Sequence, residues 1–109
     1  MTQHDGVLVE IRWAINPFRG DKFEEVWLPA AEAALDYGAT QWSLYRSKEG
    51  MLDFTQTALF PTKEHFEQYW YSEEIAAVRV AAAGYFQVPV LPTFHVLSGM
   101  GALAPVATS

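Results

Sequence analysis

Residues 6 to 16, GVLVEIRWAIN, alternate apolar and polar side chains. Val7, Val9, Ile11, Trp13 and Ile15 fall on one side and Glu10 and Arg12 on the other, which is the period of a strand with one buried face. Asn16, Pro17 and Gly20 then mark a turn, and Asp21 followed by Glu24 has the reciprocal pattern of a helix-starting capping box. The helix that follows carries Phe23, Trp27, Ala30, Ala31 and Ala34 on one side and stops at Gly38. Pro29 lies inside it, forfeits a backbone bond and predicts a kink or break near Leu28.

Two β-type runs come next, ATQWSLYRS and MLDFTQTALF, joined by KEG as a hairpin with Gly50 in the turn. Trp42 and Leu44 share one face of the first, and Phe54, Ala58 and Phe60 share one face of the second. PTKEHFEQYWYSEEIAAVRVAAAG is a second helical region with Thr62 as N-cap and Gly84 as terminator. Ser72, followed by Glu73 and Glu74, offers a second start and predicts a break at Tyr71. The run VPVLPTFHVLSG gives a last strand whose Pro89 and Pro92 place it at a sheet edge.

The order βαββαβ predicts one domain over residues 1–109, with an ordered core of about 6–99 and a flexible tail over 102–109. Its class is α+β, the ferredoxin-like arrangement: a four-stranded antiparallel sheet with both helices on one face. The uncovered face carries Glu10, Arg12, Gln41, Ser43, Tyr45, Asp53, Thr55, Thr57, Thr93 and His95. Such a face either stays in water or meets a second copy of itself around a twofold axis.

Composition narrows the partners. Seven Lys plus Arg against 13 Asp plus Glu give a net charge of −6, and the basic residues are scattered, which argues against nucleic acid. With no cysteine there is no disulfide framework and no thiolate chemistry, and the cytoplasm is the default compartment. No run approaches the ~18 apolar residues of a membrane span, and the VLV near the start is too short for a signal-peptide core. Aromatic residues make up 15% of the chain, a surplus that predicts an aromatic-lined cavity or interface beyond the core itself.

The segment HFEQYWY concentrates that surplus. Phe66 and Trp70 fall four apart on one helical stripe, with Tyr69 on its border and His65 and Tyr71 beside it. Packing against the sheet explains the stripe, but Tyr69, Trp70 and Tyr71 are consecutive and cannot all face one way. His65, near the helix start, either caps the first turn or serves as a general base. Trp13 and Trp42 lie on the helix-facing side of their strands, as core residues or as further walls of a cavity. His95, on the polar sheet face, is placed near Glu10 or Arg12 for interface or structural hydrogen bonding. The histidines at 4, 65 and 95 lack the spacing of metal ligands, and neither a nucleophile elbow nor a phosphate-binding or dinucleotide-binding glycine loop occurs.

The strand order, the chain length and the run FPTKEHFEQYWYSEEI, an aromatic helix leading to W-x-S and a second helical segment, resemble the dimeric α/β-barrel superfamily. Within it the chain is similar to the antibiotic-biosynthesis-monooxygenase-like proteins, over residues 7 to about 98. The resemblance implies a homodimer through the open sheet face, with Glu10, Arg12, Tyr45 and His95 at the contact. It also implies a pocket for a small, flat, apolar or aromatic ligand and, in the catalytic relatives, oxygenation without a cofactor. Asn16 and Trp70 match the residue types around the cavity of those oxygenases. On this reading Trp70, Trp13, Trp42, Tyr71 and Phe66 hold the ligand, Asn16 or Tyr69 hydrogen-bonds its oxygens, and His65 is the base. A non-catalytic ligand-binding or stress-associated dimer is the alternative. Haem binding is a second alternative, but where haem-degrading relatives place an axial His this chain has Val80, between Arg79 and Ala81.

Overall fold

The computed structural model describes residues 6–49, 53–101 and 103. His4, the hairpin glycine Gly50 and the tail from 102 onward, Leu103 excepted, lie outside the described residues. Strands β1 (Val7–Ala14), β2 (Gln41–Arg46), β3 (Asp53–Phe60) and β4 (Thr93–His95) form one antiparallel sheet in the order β2-β3-β1-β4. Helix α1 (Gly20–Glu32) passes into a 3-10 turn at Ala33–Tyr37, and the second helical region is two helices, α2 (Lys63–Trp70) and α3 (Glu73–Ala81). This is the ferredoxin-like α+β fold.

Alternation along the strands decides which face is covered. Val9, Ile11, Trp13, Phe54, Ala58 and Phe60 are buried under the helices, where Phe23, Trp27, Phe66, Tyr69 and Ile75 meet them. Trp13 sits at the middle of an indole triangle, its ring centroid 4.7 Å from that of Trp27 and 6.0 Å from that of Trp70. Trp13 and Trp27 are both fully buried among these rings, so neither presents a face to solvent. Trp42 is half-buried at the margin of the same core.

One polar side chain lies among them. Gln56 occupies the core face of β3 between Ile11 and Leu44 and is 1% exposed. Its Oε1 accepts from Trp13 Nε1 at 3.1 Å and from Trp27 Nε1 at 2.9 Å, while its Nε2 donates to Tyr69 Oη at 3.1 Å. Tyr69 in turn donates to the carbonyl of Ala30 at 2.8 Å. Because indole N–H groups only donate, the amide oxygen must face the two tryptophans, and the chain of bonds has a single direction.

Three local expectations change. Helix α1 starts at Gly20, one residue before Asp21, and no side chain caps it. Asp21 and Glu24 are not a capping box but meet Arg46 Nη1 at 2.8 and 3.0 Å, tying α1 to β2. Gly20 permits this approach, since a Cβ there would stand 2.4 Å from Arg46 Nη2. Pro29 does not break α1, which continues to Glu32; Glu25 and Pro29 are both on the exposed side, where a missing backbone bond costs least. Gly84 does not terminate α3, which ends at Ala81; it sits in the turn beyond. By contrast, Ser72 does start a new helix after Tyr71, its Oγ accepting from the N–H of Ile75 at 3.2 Å.

The open sheet face is less polar than alternation of the named residues suggests. Its cross-strand rows run Tyr45–Thr55–Arg12, Ser43–Thr57–Glu10–Thr93 and Gln41–Leu59–Leu8–His95. The last row is half apolar, and with Val96, Leu97 and Met100 it lines a hollow of about 270 Å³.

Candidate functional site

The aromatic segment splits by helical geometry. In α2, Lys63, Phe66, Glu67 and Trp70 recur at helical spacing, and with Tyr71 they form one wall of a groove whose other wall is Val90, Leu91, Pro92 and Phe94. This part encloses about 330 Å³. It continues past Trp70 and Val90 into a second part of about 410 Å³. There Ala76, Arg79, Val80 and Ala83 form one face of α3 and the turn after it, and Phe86, Val88 and Val90 alternate along the extended chain opposite. The core side of α3 is the other face, with Ile75 and Ala82 buried. Space of this size suits a small organic ligand.

Trp70 stands where the two parts join. It is 7% exposed, stacks on Phe66 at 5.7 Å and 24°, and has the Arg79 guanidinium over its ring at 4.3 Å. Arg79 Nη1 also donates to the carbonyl of Trp70 at 2.7 Å, closing the end of α2. Among the described residues, Arg79 is the single ionisable group lining the α3 part of the groove, and burial lowers its pKa from the usual arginine value. Around it the rim is apolar and open: Tyr71, Val80, Val88 and Leu91 are all exposed.

The other residues singled out from the sequence lie elsewhere. His65 turns away from the groove; its Nδ1 is 2.8 Å from Thr62 Oγ1 and its ring packs on Gly38. That is a helix-start position, with Thr62 also accepting from the His65 N–H at 3.3 Å. Tyr69 is fully buried, held by Gln56 and the Ala30 carbonyl, and burial pushes its pKa up to about 12. Asn16 Nδ2 donates to the Gly84 carbonyl at 3.0 Å, joining the end of β1 to the turn after α3. Trp13 packs into the core and Trp42 at its margin, so of the named ligand-holding residues the groove brings together Trp70, Phe66 and Tyr71 but not Trp13 or Trp42.

On the open face, Glu10 lies 3.2 Å from His95 Nε2 and 3.6 Å from Arg12 Nε, and His95 Nε2 is also 3.1 Å from Thr93 Oγ1. Ser43 and Thr57 share a hydroxyl hydrogen bond, and Tyr45 stands exposed beside them. Among the described residues no group of three or more His, Asp and Glu side chains could hold a metal ion, and no helix is long and apolar enough to cross a membrane.

Gln56 and Arg79 were not singled out by the sequence reading. Both carry a period signal: Gln56 falls between Phe54 and Ala58 on the buried side of its strand, and Arg79 falls among small apolar residues at 76, 80 and 83 on one helical face.

No family model matches the sequence, and no curated protein does. Solved structures do. A Nitrosomonas europaea protein of the antibiotic biosynthesis monooxygenase type superposes with a TM-score of 0.78 at 11% identity, covering 90% of this chain and 95% of its own. A Pseudomonas aeruginosa protein gives 0.77 at 10% identity over 91% of this chain and 100% of its own. SnoaB, a cofactor-independent oxygenase from Streptomyces nogalater, gives 0.69 at 14% identity over 91% and 97%. At these identities the similarity is one of fold.

Proposed function

We propose that the protein is a homodimer that binds a flat, mostly apolar small molecule in the groove beside Trp70. The observation that carries this reading is the groove itself: an open, apolar-rimmed channel with an indole at its centre. The dimer is drawn from the open sheet face, where the Leu8–Leu59 row, the oppositely charged Glu10 and Arg12, and the hydrogen-bonding His95 form a patch able to face its own copy.

The reaction we assign to the groove is cofactor-independent oxygenation, by analogy of fold with SnoaB. The substrate would be an anthrone-type phenol, whose ring methylene is acidic. Loss of one methylene proton to solvent gives a carbanion that reduces dioxygen and combines with it as a peroxide anion, which takes a proton back from solvent. Loss of water from the peroxide leaves a ring ketone, so one oxygen atom enters the product and the other leaves as water. Trp70 would hold the ring. A purely ligand-binding role is favoured by one observation: His65, the base expected from the sequence, faces Thr62 and Gly38 rather than the groove.

Oxygen uptake with an anthrone-type phenol separates the two. The oxygenase reading expects uptake above buffer that Trp70→Ala lowers at least tenfold. Calorimetric binding of the phenol without uptake would leave only the binding role, and absence of both would remove the groove as a site.

A further inference from the structure

Four arginines are present, and their surroundings differ. Arg46 faces Asp21 and Glu24, and Arg12 faces Glu10. Arg19 is exposed. Arg79 is half-buried, and among the described residues it has no carboxylate within ion-pair distance and spends one N–H on the Trp70 carbonyl. Its remaining N–H groups belong to a planar, permanently charged fork, the geometry that matches the oxygen pair of a carboxylate and that can also donate to the single oxygen of a phenolate. A cation partly withdrawn from water in this way gains from an anion placed opposite it.

We infer that Arg79 is the anion anchor of the groove, and that the ligand is an organic oxyanion: an apolar ring packed in the groove beside Trp70 and bearing an ionised carboxylate or phenol that Arg79 receives. This rests on the proposal that the groove binds a small molecule, and it adds the ligand's charge. The guanidinium lies over the Trp70 ring at 4.3 Å, so a ligand packed against the groove side of Trp70 meets the fork as well. Lys63, at the far end of the groove, is a poorer candidate because it is exposed and stands over Phe94 with Glu64 and Glu67 nearby in sequence.

The test compares ligands of one shape and different charge. Calorimetric titration at neutral pH with 2-naphthoate and with 2-naphthamide should show the acid binding at least tenfold more tightly. A titration with 2-naphthol, raised through its ionisation, distinguishes a phenolate from a carboxylate as the preferred oxyanion. Arg79→Gln should erase the difference between acid and amide while leaving the amide's affinity within about twofold, Arg79→Lys should keep part of it, and Lys63→Gln should leave it intact. A merely structural Arg79, closing α2 through the Trp70 carbonyl, would weaken acid and amide equally. Equal binding of acid and amide to the unmodified protein overturns the anchor but leaves the groove as a site. Binding of neither overturns both. Should Arg79→Gln fail to fold, the wild-type ratio together with Lys63→Gln still decides.

Discussion

Tyr69 shows how a polar side chain is turned into a core element. Its hydroxyl receives the Gln56 amide and donates to the Ala30 carbonyl, so the phenol is fully used and fully dry. Burial raises its pKa from the ordinary 10.0 to about 12, which means the folded protein holds the proton after the unfolded chain has released it. Tyr69 therefore adds stability that is fully present below pH ~10 and lost as pH rises from there to ~12, an amount of about 3 kcal/mol. Urea unfolding followed across that alkaline range should show the decline, and Tyr69→Phe should flatten it. At neutral pH the same substitution should cost about 1–3 kcal/mol, since it strips partners from a buried amide and carbonyl. An alkaline limb unchanged in Tyr69→Phe would contradict this account. Helical spacing puts Tyr69 on the border of the aromatic stripe, but the residue that settles its direction, Gln56, is polar, and a polar side chain on a strand gives no local sign that it lies in the core.

Element boundaries depend on contacts between elements as much as on local signals. Gly38 closes the 3-10 turn with φ at +101°, a conformation that suits glycine, and a Cβ added there would stand 2.8 Å from Cδ2 of His65. Gly38→Ala should therefore destabilise by about 1–3 kcal/mol in thermal or chemical unfolding, and adding His65→Ala should recover the steric part but not the backbone part. A Gly38→Ala protein as stable as the parent would show that neither constraint operates. The cap at Thr62, the break at Tyr71 and the stop at Gly38 were legible because each is encoded within four residues. The Asp21–Glu24 pair was not, because Arg46 reaches it from a strand more than twenty residues away, and the sequence does not mark which acid a distant arginine will take. The groove was hidden for a related reason. Its second wall, Phe86 to Phe94, is extended chain outside regular structure over most of its length, and only folding sets it opposite α3.

At the scale of the molecule, the sheet has a finished side and an unfinished one. The helices seal the first; the second presents Leu8 and Leu59 between the charged Glu10 and Arg12 and the hollow under Val96 and Leu97. Light scattering at micromolar concentration should give the mass of two chains, and Leu59→Glu, which places a second acid near Glu10, should shift it to that of one. A one-chain mass for the unmodified protein would rule out the dimer. The covered face was readable from alternation alone. The open face was read as polar because Leu8 and Leu59 look like ordinary strand residues until register sets them side by side.

The indole triangle of Trp13, Trp27 and Trp70 also gives the molecule an optical property. Its three chromophores are packed with ring centroids between 4.7 and 6.4 Å apart and fixed at mutual tilts of 44° to 68°. Chromophores so close and so asymmetrically set share their excited states, which gives near-ultraviolet circular dichroism a strong, geometry-dependent signature. Two of the three are sealed in the core and one forms the centre of the groove. A ring arriving on Trp70 would perturb a signal that belongs to all three, so occupancy of the surface is reported by the interior without any label.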